Sequence, residues 1–541
     1  MAYAKPIQLL DFQPDADART PGVILDMDGL IATAKGLKAQ QVFSAFSQLP
    51  APTRGIVNAE LTNGYTLVIA GTATSLFRVQ QAGPSLMGDG YNAGPRWRFA
   101  VFGNDVLAAN GVDELQISHN AALFIPVSAM PRYTSSSIGV ISPPPNPAIV
   151  EASDYGVFLI PPASNRWFFC PNDVTWELDI ATLTVSATLD STPGPITAFH
   201  ALRSGLVVAY KAHAIHVGNF TGPPFAWAFP STSEQVGCMN HECVINAGDY
   251  HLFIGQDNFY RFDGQTLTPI PNNLREWFFA HADRSRLHTV LGRFDDANAL
   301  AVWHFSSTDA PTEGDLDLWV AYHIPTGKWT KGSARVLAGD DGIADIALES
   351  GLVSADITYD AMETKWLEDA GGYGDLSGYP EPGFPVGAEP APTYTDMFDE
   401  EFAEDEDADL DADATSSAVA AIVTSTGMFS TQVGPAAMSF LLSGEIGDGI
   451  AFWQLSRVRP IFGAWPADGW GHLQSYKRAV NGYPIPDPVG HQDGEGPQAW
   501  LARSGDFNLV VTARAHQLRA DFAAAVEIVA VAIDLAFAGT E

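Results

Sequence analysis

One unit recurs along the first 330 or so residues: an apolar run rich in β-branched and aromatic residues, a tight Gly or polar turn, then a second such run. Tyr65–Gly71 leads into Ser75–Val79, and Trp97–Asn104 into Val106–Gly111. Further copies are Trp167–Asp173 with Val174–Ile180, Leu206–Tyr210 with Ala214–Val217, His251–Gly255 with Phe259–Gly264, and Leu318–Ile324 with Lys328–Trp329. Each reads as a β-hairpin. The copies start at 65, 97, 167, 206, 251 and 318, spacings close to one or two times a period of about 40 residues. A small antiparallel sheet cannot bury both faces alone, so stacking such units predicts a mainly β fold with a β-propeller-like platform. An irregular β-sandwich is the alternative that the pattern leaves open. The 49 Gly and 37 Pro argue against long helices, and 46% hydrophobic residues suffice for large cores.

The composition divides the chain. Residues 1–50 read as an N-terminal arm and 51–370 as the propeller-like platform. Residues 371–415 form a Gly/Pro-rich, then acidic, insertion, because Asp396 to Asp413 holds eleven acidic residues and no basic one. Residues 416–541 are a β-rich segment completing the fold, with strands expected over 418–428, 451–461 and 507–515 and a Gly/Pro-rich excursion over 463–497. Asp405, Glu406, Asp407, Asp409, Asp411 and Asp413 are the candidate acidic patch, facing a lumen or forming a tip. Their spacing lacks the Gly and distal Glu of an EF-hand.

Three cysteines, Cys170, Cys238 and Cys243, suit a reducing compartment rather than a disulfide framework. The N-terminus lacks the pattern of a signal peptide. The apolar stretch 523–538 is interrupted by Glu527 and Asp534 and falls short of a bilayer span, so no membrane insertion is expected.

Motifs for chemistry are few. Val23-Ile-Leu-Asp26-Met-Asp28-Gly resembles the first motif of haloacid-dehalogenase-type phosphatases, where two Asp residues act beside Mg²⁺, and Gly339-Asp340-Asp341-Gly-Ile-Ala-Asp345 resembles their late metal motif. That chemistry needs an α/β context, and β-hairpins fill the residues between, so a surface turn at Asp26 to Gly29 is the plainer expectation. Cys238-Met-Asn-His241-Glu-Cys243 offers two thiolates and an imidazole to Zn²⁺ but shows no fourth ligand. A packed strand-turn pair of reduced cysteines is the plainer account. No Walker loop, Rossmann fingerprint, Gly-x-Ser-x-Gly or HExxH is present. No catalytic residue, cofactor or metal ligand is therefore assigned, and a non-enzymatic role is expected.

Two blocks resemble a family. Leu61-Thr-Asn-Gly-Tyr-Thr-Leu-Val-Ile-Ala-Gly-Thr72 with Leu76-Phe-Arg, then Trp97 to Gln116, resemble the N-terminal half of bacteriophage tail nozzle or tail hub proteins, the head-to-tail, packaged-DNA stabilisation proteins of short-tailed phages. Gly237 to Gly264, Pro269-Ile270, Trp277-Phe-Phe279, Val302-Trp303 and Trp319 to Trp329 are similar to that family's midsection. The likeness runs from about residue 50 to 330 and more faintly through the last 120. The acidic insertion and the stretch 371–392 have no counterpart in it.

That resemblance implies a structural virion protein of the tail, assembled in the host bacterial cytoplasm. It implies a homohexameric ring below the portal, docked on a head-to-tail adaptor, with tail fibre proteins as further partners and DNA passing without specific binding. The formal net charge of −35 is too acidic for a chain that grips nucleic acid, and it suits a wall that repels phosphates over about 8–10 Å. A β-propeller that binds or hydrolyses glycans is the alternative, and a Mg-dependent phosphatase a remote one.

Overall fold

In the computed structural model, seven antiparallel sheets follow one another along the chain as blades. Blade one is Gly55–Glu60, Tyr65–Gly71, Ser75–Arg78 and Ser85–Asp89. Blade two is Arg98–Phe102, Asp105–Ala109, Gln116–His119 and Ile125–Pro126; blade three is Ile149–Ser153, Gly156–Ile160, Arg166–Pro171 and Val185–Thr188. Blade four is Ile196–Ala201, Val207–Lys211, Ile215–Gly222 and Ala226–Ala228, with Ser231–Ser233 also on its third strand. Blade five is Ile245–Asn246, His251–Ile254, Phe259–Phe262 and Leu267–Pro269; blade six is Leu291–Asp295, Leu300–Phe305, Leu316–His323 and Lys328–Val336.

The seventh blade closes the ring. It combines Ala338–Ile343, Val419–Val423 and Met428–Thr431 with Ser44–Gln48 from the N-terminal region, in the register Met428↔Gln48 and Thr431↔Ser44. First strands pack side by side from blade one to blade four and from blade five to blade seven, and that of blade seven returns to that of blade one. Blades four and five meet where the Asn246 side chain donates to the carbonyl of Ala201 at 2.7 Å. The protein is thus mainly β, with a β-propeller-like platform made of repeated antiparallel hairpins.

The structure describes residues 6–8, 11–41, 43–80, 82–129, 146–171, 185–222, 226–310, 316–343, 353–354, 419–423, 428–432, 439–446, 452–464, 471–477, 498–499, 511–513, 515–522 and 526–539. The platform and the terminal strands belong to one unit comprising Met1–Val353 and Ala418–Glu541.

Local chemistry explains the hairpins. Second strands lie between neighbouring blades and are mostly apolar, as in Asp105–Ala109 and Leu300–Phe305, where every residue is buried, Asp105 and His304 included. The expected hairpins at 65, 97, 206, 251 and 318 are paired strands, and Trp167 lies on one, though Val174–Ile180 falls outside the described residues. Their starts sample different strands of the blade. Trp97 precedes a first strand whereas Trp167 lies on a third, so the wide interval between them is one blade plus two strands, not two blades. First strands begin at 55, 98, 149, 196, 245, 291 and 338, which spaces the blades 43 to 51 residues apart.

Aromatic side chains fill the gaps between blades. Phe158, Trp167, Phe169, Phe199 and Trp227 pack between blades three and four. Phe259, Trp303 and Trp329 do so between five and six, with the Phe259 and Trp329 ring centres 4.7 Å apart.

Beside the propeller, two further sheets combine both ends of the chain. One holds Leu30–Ala32, Leu37–Ala39, Glu527–Gly539, Phe452–Ala464 and Val511–Ala513, with Pro6–Gln8 along Glu527–Gly539. The other holds Ile24–Asp28, Ser439–Ile446, His516–Phe522, Gly471–Lys477 and Gln498–Ala499. The described strands of the first fifty residues are therefore built into these sheets and blade seven. Gly471–Lys477 is a strand inside the stretch read as a Gly/Pro excursion.

Residues 11–28 tie the sheets to blades five and six. The Phe12 N–H donates to the Trp329 carbonyl at 2.9 Å, and the Trp329 N–H to Asp11 Oδ2 at 2.9 Å. The short helix Arg275–His281 is capped from afar: Leu274 provides no side-chain cap, and Asp15 accepts the N–H groups of Glu276 and Trp277 at 2.6 and 2.9 Å. No helix among the described residues is long and apolar enough to cross a membrane.

Candidate functional site at the propeller axis

Polar side chains of the first strands and of the segments leading into them converge where the blades meet. Arg98 opens the first strand of blade two, Glu151 lies in that of blade three, His200 in that of blade four, and His241 and Glu242 precede that of blade five. Arg98 Nε and Nη2 donate to Glu242 Oε1 and Oε2 at 2.7 and 3.1 Å, while its Nη1 donates to the Ala148 carbonyl at 2.8 Å. Blades two and five are thereby joined across the axis. A cavity of about 200 Å³ remains beside the pair, lined by Arg54, Arg98, His200, His241, Glu242 and Gly292 among others.

Next to it lies a second cluster. Glu151 Oε1 accepts the Ala201 N–H at 3.0 Å, and its Oε2 faces His200 Nδ1 at 3.6 Å. His200 Nε2 donates to the carbonyl of His241 at 2.9 Å, and the two imidazoles stack with ring centres 4.0 Å apart. Beyond them, His251 Nδ1 meets the Tyr210 hydroxyl at 2.8 Å.

Burial shapes the protonation of these groups. It pushes the Glu151 carboxyl up to about 8, against the pull of the Ala201 N–H. It brings His200 down to about 4 and His251 to about 3, and holds His241, with help from His200 and Arg98, well below the imidazole range. For Glu242, burial opposes the charged form, but Arg98 and Arg96 outweigh it and hold the carboxyl well below its usual range. At neutral pH the axis thus holds neutral histidines, a protonated Glu151 and one tight ion pair.

A wider mouth of about 710 Å³ opens at the turns between first and second strands of blades one to four, lined by Thr62, Asn104, Asp105, His119, Asp154 and Gly205 among others. Asn104 Oδ1 ties blade two to blade one by accepting from Thr62 Oγ1 at 2.7 Å and the Asn63 N–H at 2.9 Å. Asp105 pairs with His119 at 2.7 Å.

The residues singled out in the sequence are placed differently. Asp26 and Asp28 lie on the strand Ile24–Asp28, not in a surface turn, and that strand pairs antiparallel with Ser439–Ile446. Asp26 pairs with Lys331, and Asp28 accepts the Ser333 N–H and hydroxyl at 2.7 and 2.8 Å. Asp340 and Asp341 belong to a strand of blade seven, in a different sheet, and Asp345 is outside the described residues.

Cys238 and Cys243 are buried free thiols, directed at the carbonyls of Asn240 and Ile254 at 3.3 and 3.8 Å. Burial pushes the Cys243 thiol up, away from the thiolate that zinc needs. His241 is grouped instead with Glu151 and His200. Asp405, Glu406, Asp407, Asp409, Asp411 and Asp413 lie outside the described residues. Arg98, Glu151, His200 and Glu242 escaped the sequence reading, and the signal that could have found them is their recurrence at about one blade period near the start of each unit.

No protein-family model matches the chain, and no curated protein matches it. Among solved structures it is similar to the β-propeller domain of Cps50 (Swd1) from Myceliophteria thermophila, at 8% identity and a TM-score of 0.35 over 55% of this chain and 92% of that one.

Proposed function

We propose that the protein is a structural subunit of a bacteriophage tail: the nozzle or hub that forms a homohexameric ring below an adaptor and conducts DNA without gripping it. The observation that carries this reading is the resemblance of residues 61–116 and 237–329 to that family, whose residues serve here as packing elements. Trp97, Trp303, Trp319 and Trp329 are all buried, and the Trp303 and Trp329 indoles donate to the carbonyls of Cys243 and Pro271 at 3.0 Å each. Such a signature marks a scaffold rather than a reaction centre.

The ion pair across the axis is consistent with it. With Arg98 and Glu242 joined across the blades, a path for DNA would have to run between subunits. A ring of chains each carrying −35 would repel phosphates over about 8–10 Å and let the polymer slide. Glycoside hydrolysis at the axis is disfavoured because it needs an ionised carboxylate free to attack or to activate water: burial holds the Glu151 carboxyl protonated at neutral pH, and both Glu242 oxygens are held by Arg98.

Negative-stain microscopy of the purified protein, alone and with its adaptor, tests the reading. Sixfold rings with a central lumen are expected. A chain that stays monomeric with adaptor present, or virions whose tails lack it, would overturn it.

A further inference from the structure

We propose that the cavity beside the Arg98–Glu242 pair binds a small tetrahedral oxyanion of the phosphate class, held by Arg54 and Arg96. The cavity is lined by three arginines, Arg54, Arg96 and Arg98, and by one carboxylate, Glu242. Its two imidazoles, His200 and His241, are neutral at neutral pH. Two positive charges are therefore left over among the lining residues, in a chain whose net charge is −35. A phosphate group carries about −1.5 to −2 near pH 7, and guanidinium forks match the geometry of its oxygens.

The fold places the two arginines and leaves their charge uncommitted. Arg54 stands just before the first strand of blade one and Arg96 just before that of blade two. The Trp97 N–H donates to the Arg54 carbonyl at 3.0 Å, which sets these two segments side by side. Arg54 Nη1 donates to the Gly94 carbonyl, and Arg96 Nη2 to the Thr289 carbonyl at 2.9 Å. Each guanidinium is thus steadied by a neutral main-chain acceptor, which takes one of its five N–H donors and does not neutralise it.

Glu242 does not neutralise them either, since Arg98 holds both of its oxygens. Among the described residues, neither Arg54 nor Arg96 forms an ion pair with a carboxylate. The cavity of about 200 Å³ is many times the roughly 10–15 Å³ that one water needs, so a small anion and its water fit, while a nucleic-acid duplex is far too large. The site is separate from the tail reading, in which DNA passes unbound. An anion there would join blade one to blade two and stabilise the folded chain in proportion to its binding.

The test is isothermal titration calorimetry of the full chain with inorganic phosphate, in a phosphate-free buffer at fixed ionic strength. One saturable site per chain is expected, and thermal unfolding should shift upward with phosphate but not with chloride at the same ionic strength. Arg54→Gln and Arg96→Gln should each weaken phosphate binding at least about tenfold, the loss of a charge-assisted contact, with an unchanged circular dichroism spectrum. Arg96→Lys, which keeps the charge and loses the fork, should bind more weakly than the parent chain. Arg203→Gln, on an exposed turn of blade four outside the cavity, should bind like the parent. No saturable phosphate site on the parent chain, parental affinity in both Gln variants, or an equal loss in the Arg203→Gln chain would each overturn the proposal, as would binding of a short DNA duplex in place of phosphate.

Discussion

Arg98 grips both carboxylate oxygens of Glu242 from the opposite side of the propeller, and this fork joins blade two to blade five. The two side chains are 19% and 13% exposed, so removing one partner leaves a largely buried charge without its mate. Arg98→Met or Glu242→Gln should each destabilise by about 3–5 kcal/mol. The double substitution should recover a large part of that loss, since apolar or neutral pairs often replace buried ion pairs at little net cost. Urea unfolding of the three variants checks it, and single variants as stable as the parent would show that the fork does not hold the axis.

Trp97 occupies a slot made by two glycines. Gly55 and Gly71 are cross-strand partners in blade one, and a Cβ at Gly71 would sit 2.4 Å from Trp97 Cδ1, one at Gly55 2.2 Å from the Trp97 carbonyl oxygen. The indole is fixed there by donating to the Thr72 carbonyl at 2.7 Å. Gly71→Ala must push the ring out of register and should cost about 1–3 kcal/mol. Gly83, whose added Cβ would meet nothing within 4 Å but whose φ is +116°, provides a control for backbone strain alone. Thermal unfolding that fails to shift in the Gly71→Ala chain would contradict the slot.

The helix Arg275–His281 depends on a residue far from it in sequence. Asp15 provides the N-terminal acceptor that Leu274 cannot. Asp15→Ala should cost about 0.5–2 kcal/mol and Asp15→Ser appreciably less, because a hydroxyl can still accept one N–H. Equal losses for both would assign the effect to the loop and not to the cap.

The parts of this fold that were legible in the sequence are those encoded over short distances. A hairpin such as Phe102-Gly103-Asn104-Asp105 announces itself by a turn glycine, here at φ 61°, between apolar runs. Closure of the propeller was not legible, because the partner of Met428 is Gln48 and no local pattern links them. The Asp26/Asp28 motif misled for a similar reason: the groups that explain it, Lys331 and Ser333, lie in blade six. At Cys238-Met-Asn-His241-Glu-Cys243, neighbours in sequence separate in space. The thiols turn into the packed blade, while His241 and Glu242 turn to the axis, toward His200 and Arg98.

The closure has a consequence for truncation. Ser44–Gln48 is the outer strand of blade seven, and Phe46 packs edge-on against the buried Phe429 at a centroid distance of 6.0 Å. Deleting residues 1–49 would bare the Met428–Thr431 edge and remove Ile24–Asp28, Leu30–Ala32 and Leu37–Ala39 from both flanking sheets. Such a chain should aggregate or be cleaved rapidly by protease, as unpaired edges do. Phe429→Ala in the full chain should cost about 3–5 kcal/mol. A truncated chain that elutes as a stable monomer with native protease resistance would show that the N-terminal strand is dispensable.

Stability should fall in mild acid, and His304 provides one clear contribution. It is 1% exposed on the second strand of blade six, accepts the Arg293 Nε–H at its Nε2 across 3.2 Å, and leaves Nδ1 without a hydrogen-bond partner. Burial, then the charge of Arg293, holds its pKa well below the imidazole range. The unfolded chain takes up a proton at this residue below about pH 6.5, whereas the folded chain refuses it. The contribution is therefore complete above that pH and is lost as pH falls toward the depressed folded value. The loss is about 1.4 kcal/mol per pH unit for one such proton, and His216 and His323, lowered first by burial, act in the same sense. His304→Gln, which cannot titrate, should flatten the dependence of unfolding free energy on pH by close to one proton between roughly pH 6 and pH 5. Denaturant midpoints measured across that interval for both chains check it, and parallel slopes would mean that His304 is protonated in the folded protein.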